Sequence, residues 1–315
     1  MQNGLRLQKD VKLSTPVQAK GSQKFKLENW LPYLFLTPTT LLILGFLIYP
    51  FTNVFYYSLQ HYNLNTPFYN GFIGLENFVT LFNDPQFYSS LGITFKWVTS
   101  QVLLQLVFGM VLALILNQSF RFRAFIRAAA FTPWAISGVL ASVMWSLMYN
   151  EHMGVINDMF QRVGLIEQNR AWLADSATVF ISVVIAELWR GIPFFAITLL
   201  AGLQSIPEEL YEAAKVDGAG RWKTYWYITL PQLKNTIVLT TLLRTVWEFN
   251  NVDLIFNLTG GGPAHQTTTL TMYIAEQAIH GNNFGYGSAL TVVSCGILLI
   301  FAVVYLKVTR YEREG

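Results

Sequence analysis

Glu187, Arg190, Arg244 and Glu248 stand near the centres of two long apolar stretches. A charge at the midplane of a bilayer costs about 3 kcal/mol on insertion scales, so each needs a partner or water. Glu187 and Arg190 are three residues apart, and Arg244 and Glu248 four, so each pair shares one helix face. Arg244, Trp247, Glu248 and Asn251 recur at i, i+3, i+4 and i+7, making a single polar and aromatic stripe. Two kinds of chemistry fit these residues. In the first, Trp247 stacks on an apolar ring face while Glu187, Glu248 and Asn251 hydrogen-bond a rim of hydroxyls, as recognition of a sugar requires. In the second, the ion pairs hold the helices together and touch no solute. The arginines suit both equally, whereas Trp247 and Asn251 suit the first better.

Nothing in the chain pairs with these residues to break bonds. His61, His152, His265 and His280 are scattered without metal-ligand spacing. Gly260-Gly261-Gly262-Pro263 lacks the Gly-Lys-Ser/Thr ending of a phosphate loop, and Gly218-Ala219-Gly220 with Lys223 fails the same test. The single cysteine, Cys295, excludes an intrachain disulfide and a multi-cysteine metal site. A net charge of +3 is too small to suggest nucleic-acid binding. The expectation is a chain that is not an enzyme, with no cofactor or metal of its own.

The elements that position the stripe follow from composition. Of 315 residues 53% are apolar and only 12% charged, about half the charge of a soluble domain. Apolar runs predict an all-α membrane bundle of six spans: Leu31 to about Tyr57, Phe95–Leu116, about Ala128–Met148, Thr178–Leu203, Asn235–Leu258 and Ser288–Val308. Pro38 and Pro50 are expected to kink the first span, and a short surface helix is expected over Val155–Val163. Met1–Glu28 is polar and is not expected to be a cleavable signal. The expected organisation is a cytoplasmic tail over 1–29, a membrane domain over 30–310 and a cytoplasmic tail over 311–315. Sixteen of the twenty-one lysines and arginines fall on one side of the six-span arrangement, which predicts that both termini are cytoplasmic.

Between the fourth and fifth spans lies the long polar passage Ser205–Pro231. Ser205 and Glu208 have capping-box spacing, and Glu208 and Glu209 suit the first turn of a helix. Asp217-Gly218-Ala219-Gly220 predicts a turn with a left-handed position. A second short helix is expected over Arg221–Ile228, ended by Pro231.

Glu212-Ala213-Ala214, then Asp217-Gly218-Ala219, then Ile228-Thr229-Leu230-Pro231 resembles the EAA loop of membrane subunits of ATP-binding cassette importers. LAGLQSIPEELYEAA and LIFNLTGGGP resemble the carbohydrate-uptake permeases, the group of the maltose permease subunits, and the likeness runs from about Trp30 to Arg310. The resemblance implies that 205–231 couples to a cytoplasmic ATPase through Glu212, Ala213, Ala214, Asp217, Gly218, Ile228, Leu230 and Pro231. It also implies that the face carrying Trp247 and Asn251 lines a sugar path, and it adds Trp134 as an aromatic group near sugar. Arg244 and Glu248 depart from the neutral polar residues of that permease. The implied partners are a second homologous permease, two ATPase subunits that bind ATP and Mg, an extracellular or periplasmic sugar-binding protein, and membrane lipid. The implied location is the cytoplasmic (inner) membrane of a bacterium or archaeon. Two rivals stay open: the same architecture importing glycerol phosphate or an acidic oligosaccharide, and an ion-coupled secondary transporter using the buried acid–base pairs.

Overall fold

The structure, a computed structural model, describes residues 27–309. The tails expected over 1–29 and 311–315 therefore lie outside the described residues, except that helix already begins at Leu27. The chain divides into two compact units, Met1–Thr52 and Asn53–Gly315.

The described part of the first unit is helical throughout. Helix α1 (Leu27–Ile43) passes through a π-helical turn (Leu44–Ile48) into α2 (Tyr49–Ser58), whose last residues belong to the second unit. Pro32–Ser58 is 27 residues long and apolar enough to cross a bilayer. The π turn immediately precedes Pro50, which has no N–H to give to the preceding turn, so the change of register absorbs the missing bond.

The second unit opens with a two-stranded antiparallel hairpin, β1 (Gln60–His61) and β2 (Gly71–Phe72), followed by α3 (Glu76–Phe82). Asp84 then caps α4 (Pro85–Asn117), accepting the Gln86 N–H at 2.8 Å, with Pro85 in the first turn. Its other oxygen accepts the hydroxyls of Tyr273 and Tyr286, each at 2.6 Å. Burial pushes the Asp84 carboxyl up, but the hydrogen bonds from both tyrosines and from the backbone outweigh it and hold the group below its ordinary value.

Helix α4 packs along α8 (Val179–Ser205), and this pair is the spine of the unit. Val102, Met110, Ala113, Phe195, Leu199 and Leu203 form one apolar cluster between them. Helices α5 (Arg123–Ala135) and α6 (Gly138–Met148) stand where one straight third span is expected, but they are bent by 96°. Pro133 cannot continue the ladder, and the Ser137 side chain accepts the Leu140 N–H to start α6 afresh. Helix α7 (Val155–Arg162) matches the expected surface helix.

The passage 205–231 differs from expectation at both ends. Ser205 is still inside α8, and its hydroxyl donates to Gly202 O at 2.8 Å, so no capping box forms. Pro207 instead occupies the cap of α9 (Glu208–Val216). Nor does Pro231 end a helix. Helix α10 (Arg221–Thr224), a π turn (Tyr225–Thr229) and α11 (Leu230–Gln232) lead almost directly into α12 (Lys234–Phe249). Pro231 lies in the first turn of α11, where its missing N–H is harmless.

The fifth span also breaks. Helix α12 is 16 residues long, and α13 (Asp253–Thr259) follows after Asn250-Asn251-Val252. The Asn250 amide donates to Val246 O at 2.8 Å, satisfying a carbonyl at the end of α12. Leu254 and Ile255 of α13 pack with Ala141 of α6. After α14 (Leu270–Ala275) comes the last long helix, α15 (Phe284–Val308). Among the described residues, four helices can cross a bilayer unaided, or five if α5 and α6 count together. Helix α12 is shorter than the roughly 20 residues a span needs, so the expected fifth span, and with it the count of six, is not met as a single helix.

Candidate functional site

Four elements bring the charged groups together: α4, α5, α8 and the α12–α13 junction. Trp134, Glu187, Arg190, Arg244, Trp247, Glu248 and Asn251 line one cavity of about 230 Å³. All seven residues expected from the sequence thus surround a single space.

They do not play equal parts in its wall. Arg190 clasps Glu187 with two nitrogens, Nε to Oε2 and Nη2 to Oε1, each at 2.9 Å. From α12, Arg244 Nη2 reaches the same Glu187 Oε1 at 2.9 Å and Glu248 Oε1 at 2.6 Å. Glu187, Glu248 and Arg244 are 0%, 1% and 5% exposed, so the two acids stand behind the wall, committed to arginine. The surface toward open space comes from Trp134, Arg190, Trp247 and Asn251. Asn251 Nδ2 donates weakly to Glu248 Oε2, at 3.3 Å.

Three residues of this site escaped sequence reasoning. Gln105 of α4 accepts from Arg244 Nε at 2.7 Å and donates to Glu248 Oε1 at 3.0 Å. It also donates to Gln101 Oε1 at 2.9 Å, and Gln101 donates to Val184 O of α8 at 3.1 Å. The available signal was their i, i+4 spacing on one face of an apolar span. The third is Phe194, one turn beyond Arg190, whose ring centroid lies 4.9 Å from that of Trp247 and 6.1 Å from that of Trp134. It joins the two tryptophans into one aromatic surface. Arg244 lies over the same ring, 5.8 Å from its centroid.

The second group of expected residues is gathered on α9 to α11. Glu212, Ala213 and Asp217 are exposed, and Ala214 is buried against the rest of the segment. Gly218 has φ +70°, as the turn residues predict, and stands just past the end of α9. The Ala219 N–H bonds Ala214 O at 2.8 Å and the Gly218 N–H bonds Lys215 O at 3.1 Å, the paired bonds of a Schellman ending. A Cβ on Gly218 would meet nothing within 4 Å, so the backbone angle, not crowding, calls for glycine. The Tyr211 hydroxyl and Thr229 Oγ1, 3.3 Å apart, tie the two arms together. Ile228 and Leu230 are half-buried, with Leu230 packed beside Leu233, while Pro231 is exposed. Val216 and Trp222, 89% and 78% exposed, project from the turn.

The chain is similar to known proteins over most of its length. Residues 105–312 match the family described as binding-protein-dependent transport system inner membrane component. The trehalose/maltose transport system permease protein MalF of Thermococcus litoralis is 35% identical over 287 residues, covering 91% of this chain and 96% of its own. The sulfoquinovosyl glycerol transport system permease protein SmoG of Agrobacterium fabrum is 34% identical over 283 residues, covering 90% and 91%. A chain of a bacterial alginate ABC transporter, solved with an alginate pentasaccharide-bound periplasmic protein, matches with a TM-score of 0.78 at 25% identity, covering 90% of this chain and 95% of that one. The chain belongs to the family of binding-protein-dependent transport system inner membrane components and is a membrane-spanning permease subunit of an ATP-binding cassette importer.

Proposed function

We propose that this permease passes a saccharide into the cytoplasm through the cavity between α5, α8 and α12, driven by ATP hydrolysis on partner subunits. The observation that carries the reading is the meeting of Trp134 and Trp247, bridged by the buried Phe194 ring, with Arg190 and Asn251 around one space. Aromatic faces suit the C–H faces of a sugar ring, and the guanidinium and amide suit its hydroxyls. The relatives named for trehalose/maltose and sulfoquinovosyl glycerol transport support the same substrate class. Glu187 and Glu248 act from behind the wall, holding Arg190 and Arg244 in place. An acidic solute is the second reading, favoured by Arg190, whose side chain is 21% exposed. Against it, both nitrogens that Arg190 turns to Glu187 are already paired with a carboxylate.

The rest of the assembly completes the proposal. A second permease closes the path, two ATPases binding ATP and Mg grip 205–231, and an extracellular or periplasmic protein delivers the sugar. Both termini and 205–231 face the cytoplasm of a bacterium or archaeon. ATP and the loaded delivery protein drive the cycle because each binds one conformation better than the other. The test is ATP-dependent uptake of labelled disaccharides by the complete transporter in liposomes. Wild type should accumulate a neutral disaccharide, and accumulation of none across a panel sinks the reading.

A further inference from the structure

We propose that Gln105 is a positioning residue that sets the solute cavity's preference for uncharged ligands. The inference rests on the reading of this cavity as the solute path. Gln105 is fully buried, and its amide is committed on both sides. Its oxygen faces the Arg244 Nε donor and its nitrogen faces two acceptors, Glu248 Oε1 and Gln101 Oε1. Turning the amide over would set oxygen against two oxygens and nitrogen against a guanidinium, so one orientation alone satisfies the site. Gln101 is in turn anchored on the backbone of α8 at Val184 O. The hold thus runs from the main chain of α8 through two amides of α4 to the charges of α12.

Helix α8 makes room for this arrangement at Gly191. A Cβ there would lie 2.2 Å from Gln105 Nε2 and 2.6 Å from Arg244 Nη2. Bare backbone at that one point lets the amide and the guanidinium enter the helix interface together.

The consequence is electrostatic. With its Nε fixed by Gln105, Arg244 spans both Glu187 and Glu248, and the two acids and two arginines cancel within the wall. Arg190 alone brings cationic surface to the cavity, already paired with Glu187. A carboxylate-bearing solute therefore meets no uncompensated cation, whereas a neutral polyol meets donors and aromatic faces. Without Gln105, Arg244 Nε and Glu248 each lose a partner, and the guanidinium can turn from the shared position toward the cavity.

The experiment titrates the complete transporter, purified without its extracellular protein so that the cavity alone selects, with maltose and with maltobionate, which adds a carboxylate to a related scaffold. Wild type should favour maltose. Gln105→Met, similar in size but without hydrogen bonds, should weaken maltose binding about fivefold, as loss of one buried hydrogen bond does, and narrow the preference. Gln105→Glu keeps an acceptor for Arg244 and adds a negative charge, at the cost of setting oxygen against Glu248 Oε1 and Gln101 Oε1, so it should widen the preference. Opposite shifts from two substitutions at one buried position are not what a packing role produces. If Gln105→Met does not assemble, Gln101→Met releases the same amide from further away and should shift the preference the same way by less. A preference that stays at the wild-type value, or moves in the same direction in Gln105→Met and Gln105→Glu, overturns the proposal. Wild type that binds neither compound, nor any neutral disaccharide of the uptake panel, overturns the solute reading and this proposal with it.

Discussion

Arg244 and Glu187 meet across the α8–α12 interface at 2.9 Å, although 57 residues separate them in sequence. The carboxylate has no exposed surface, so its charge is balanced by protein alone. Removing one partner from a buried pair leaves the other uncompensated, at a cost of about 3–5 kcal/mol. Arg244→Leu strands Glu248 and leaves Glu187 to Arg190 alone, and should sharply lower the yield of assembled transporter. Arg244→Leu combined with Glu248→Gln should recover part of it, since Glu187 keeps Arg190. Size-exclusion yield of the assembled transporter compares them, and wild-type yield from Arg244→Leu alone contradicts a structural role for the pair.

Part of this site was legible from sequence and part was not, for physical reasons. Arg244, Trp247, Glu248 and Asn251 were visible because helical periodicity is local and charge in an apolar stretch is conspicuous. Gln105 was not, because an uncharged amide gives a weak signal and its partner Glu248 is 143 residues away. The split of roles among the charged groups was likewise hidden: only the fold makes Glu187 a support and Arg190 a wall residue. Long apolar runs gave α8 and α15 closely, but placed the start of α4 at Phe95 where the helix begins at Pro85. The breaks at Ser137 and Asn250 were missed because each depends on one side chain satisfying one backbone group.

The aromatic wall should act on solute and leave assembly alone. Trp247 is 43% exposed, so Trp247→Ala removes little from the core. It should weaken transport by about 1–1.5 kcal/mol through a lost ring contact, and Asn251→Ala by about as much through a lost hydrogen bond. Uptake kinetics with ATPase co-purification as the control separate the two effects. Wild-type uptake by the double variant retires these residues as solute contacts.

Asp84 makes an acid-side prediction. Its folded-state carboxyl is held below the ordinary 3.8, so it stabilises the fold above that value and loses the contribution as pH falls through the lowered one. Asp84→Asn should lower the Tm of the purified protein near neutral pH. The gap from wild type should close once the buffer falls well below about pH 4. A gap that persists unchanged in acid shows that the tie to Tyr273 and Tyr286 does not depend on charge.

Topology can be read with an impermeant thiol reagent after Cys295 is replaced by alanine. His152 and His265 are exposed, on connections that the lysine and arginine count is expected to place outside. Cysteines placed there should be labelled from outside intact cells, and one at Lys223 should not. External labelling at Lys223 puts the 205–231 segment on the wrong side for an ATPase partner.

Gly218 carries the last and most consequential prediction, because the coupling role proposed for 205–231 depends on the turn it makes. Its φ of +70° is costly for any residue with a β-branched side chain. No atom stands within 4 Å of where a Cβ would point, so Gly218→Val acts through backbone strain and through whatever docks against the turn. Gly218→Ala adds the smaller group and should show a milder form of the same defect. Glu212 is exposed on α9, and Glu212→Arg reverses its charge without disturbing the fold. Gly218→Val and Glu212→Arg should each release the ATPase or uncouple sugar-stimulated hydrolysis from uptake, while membrane insertion is unchanged. Co-purification of the ATPase and stimulated hydrolysis in liposomes measure both. Full ATPase binding with wild-type coupled uptake in both variants means that the energy of ATP enters this permease somewhere other than α9 and its turn.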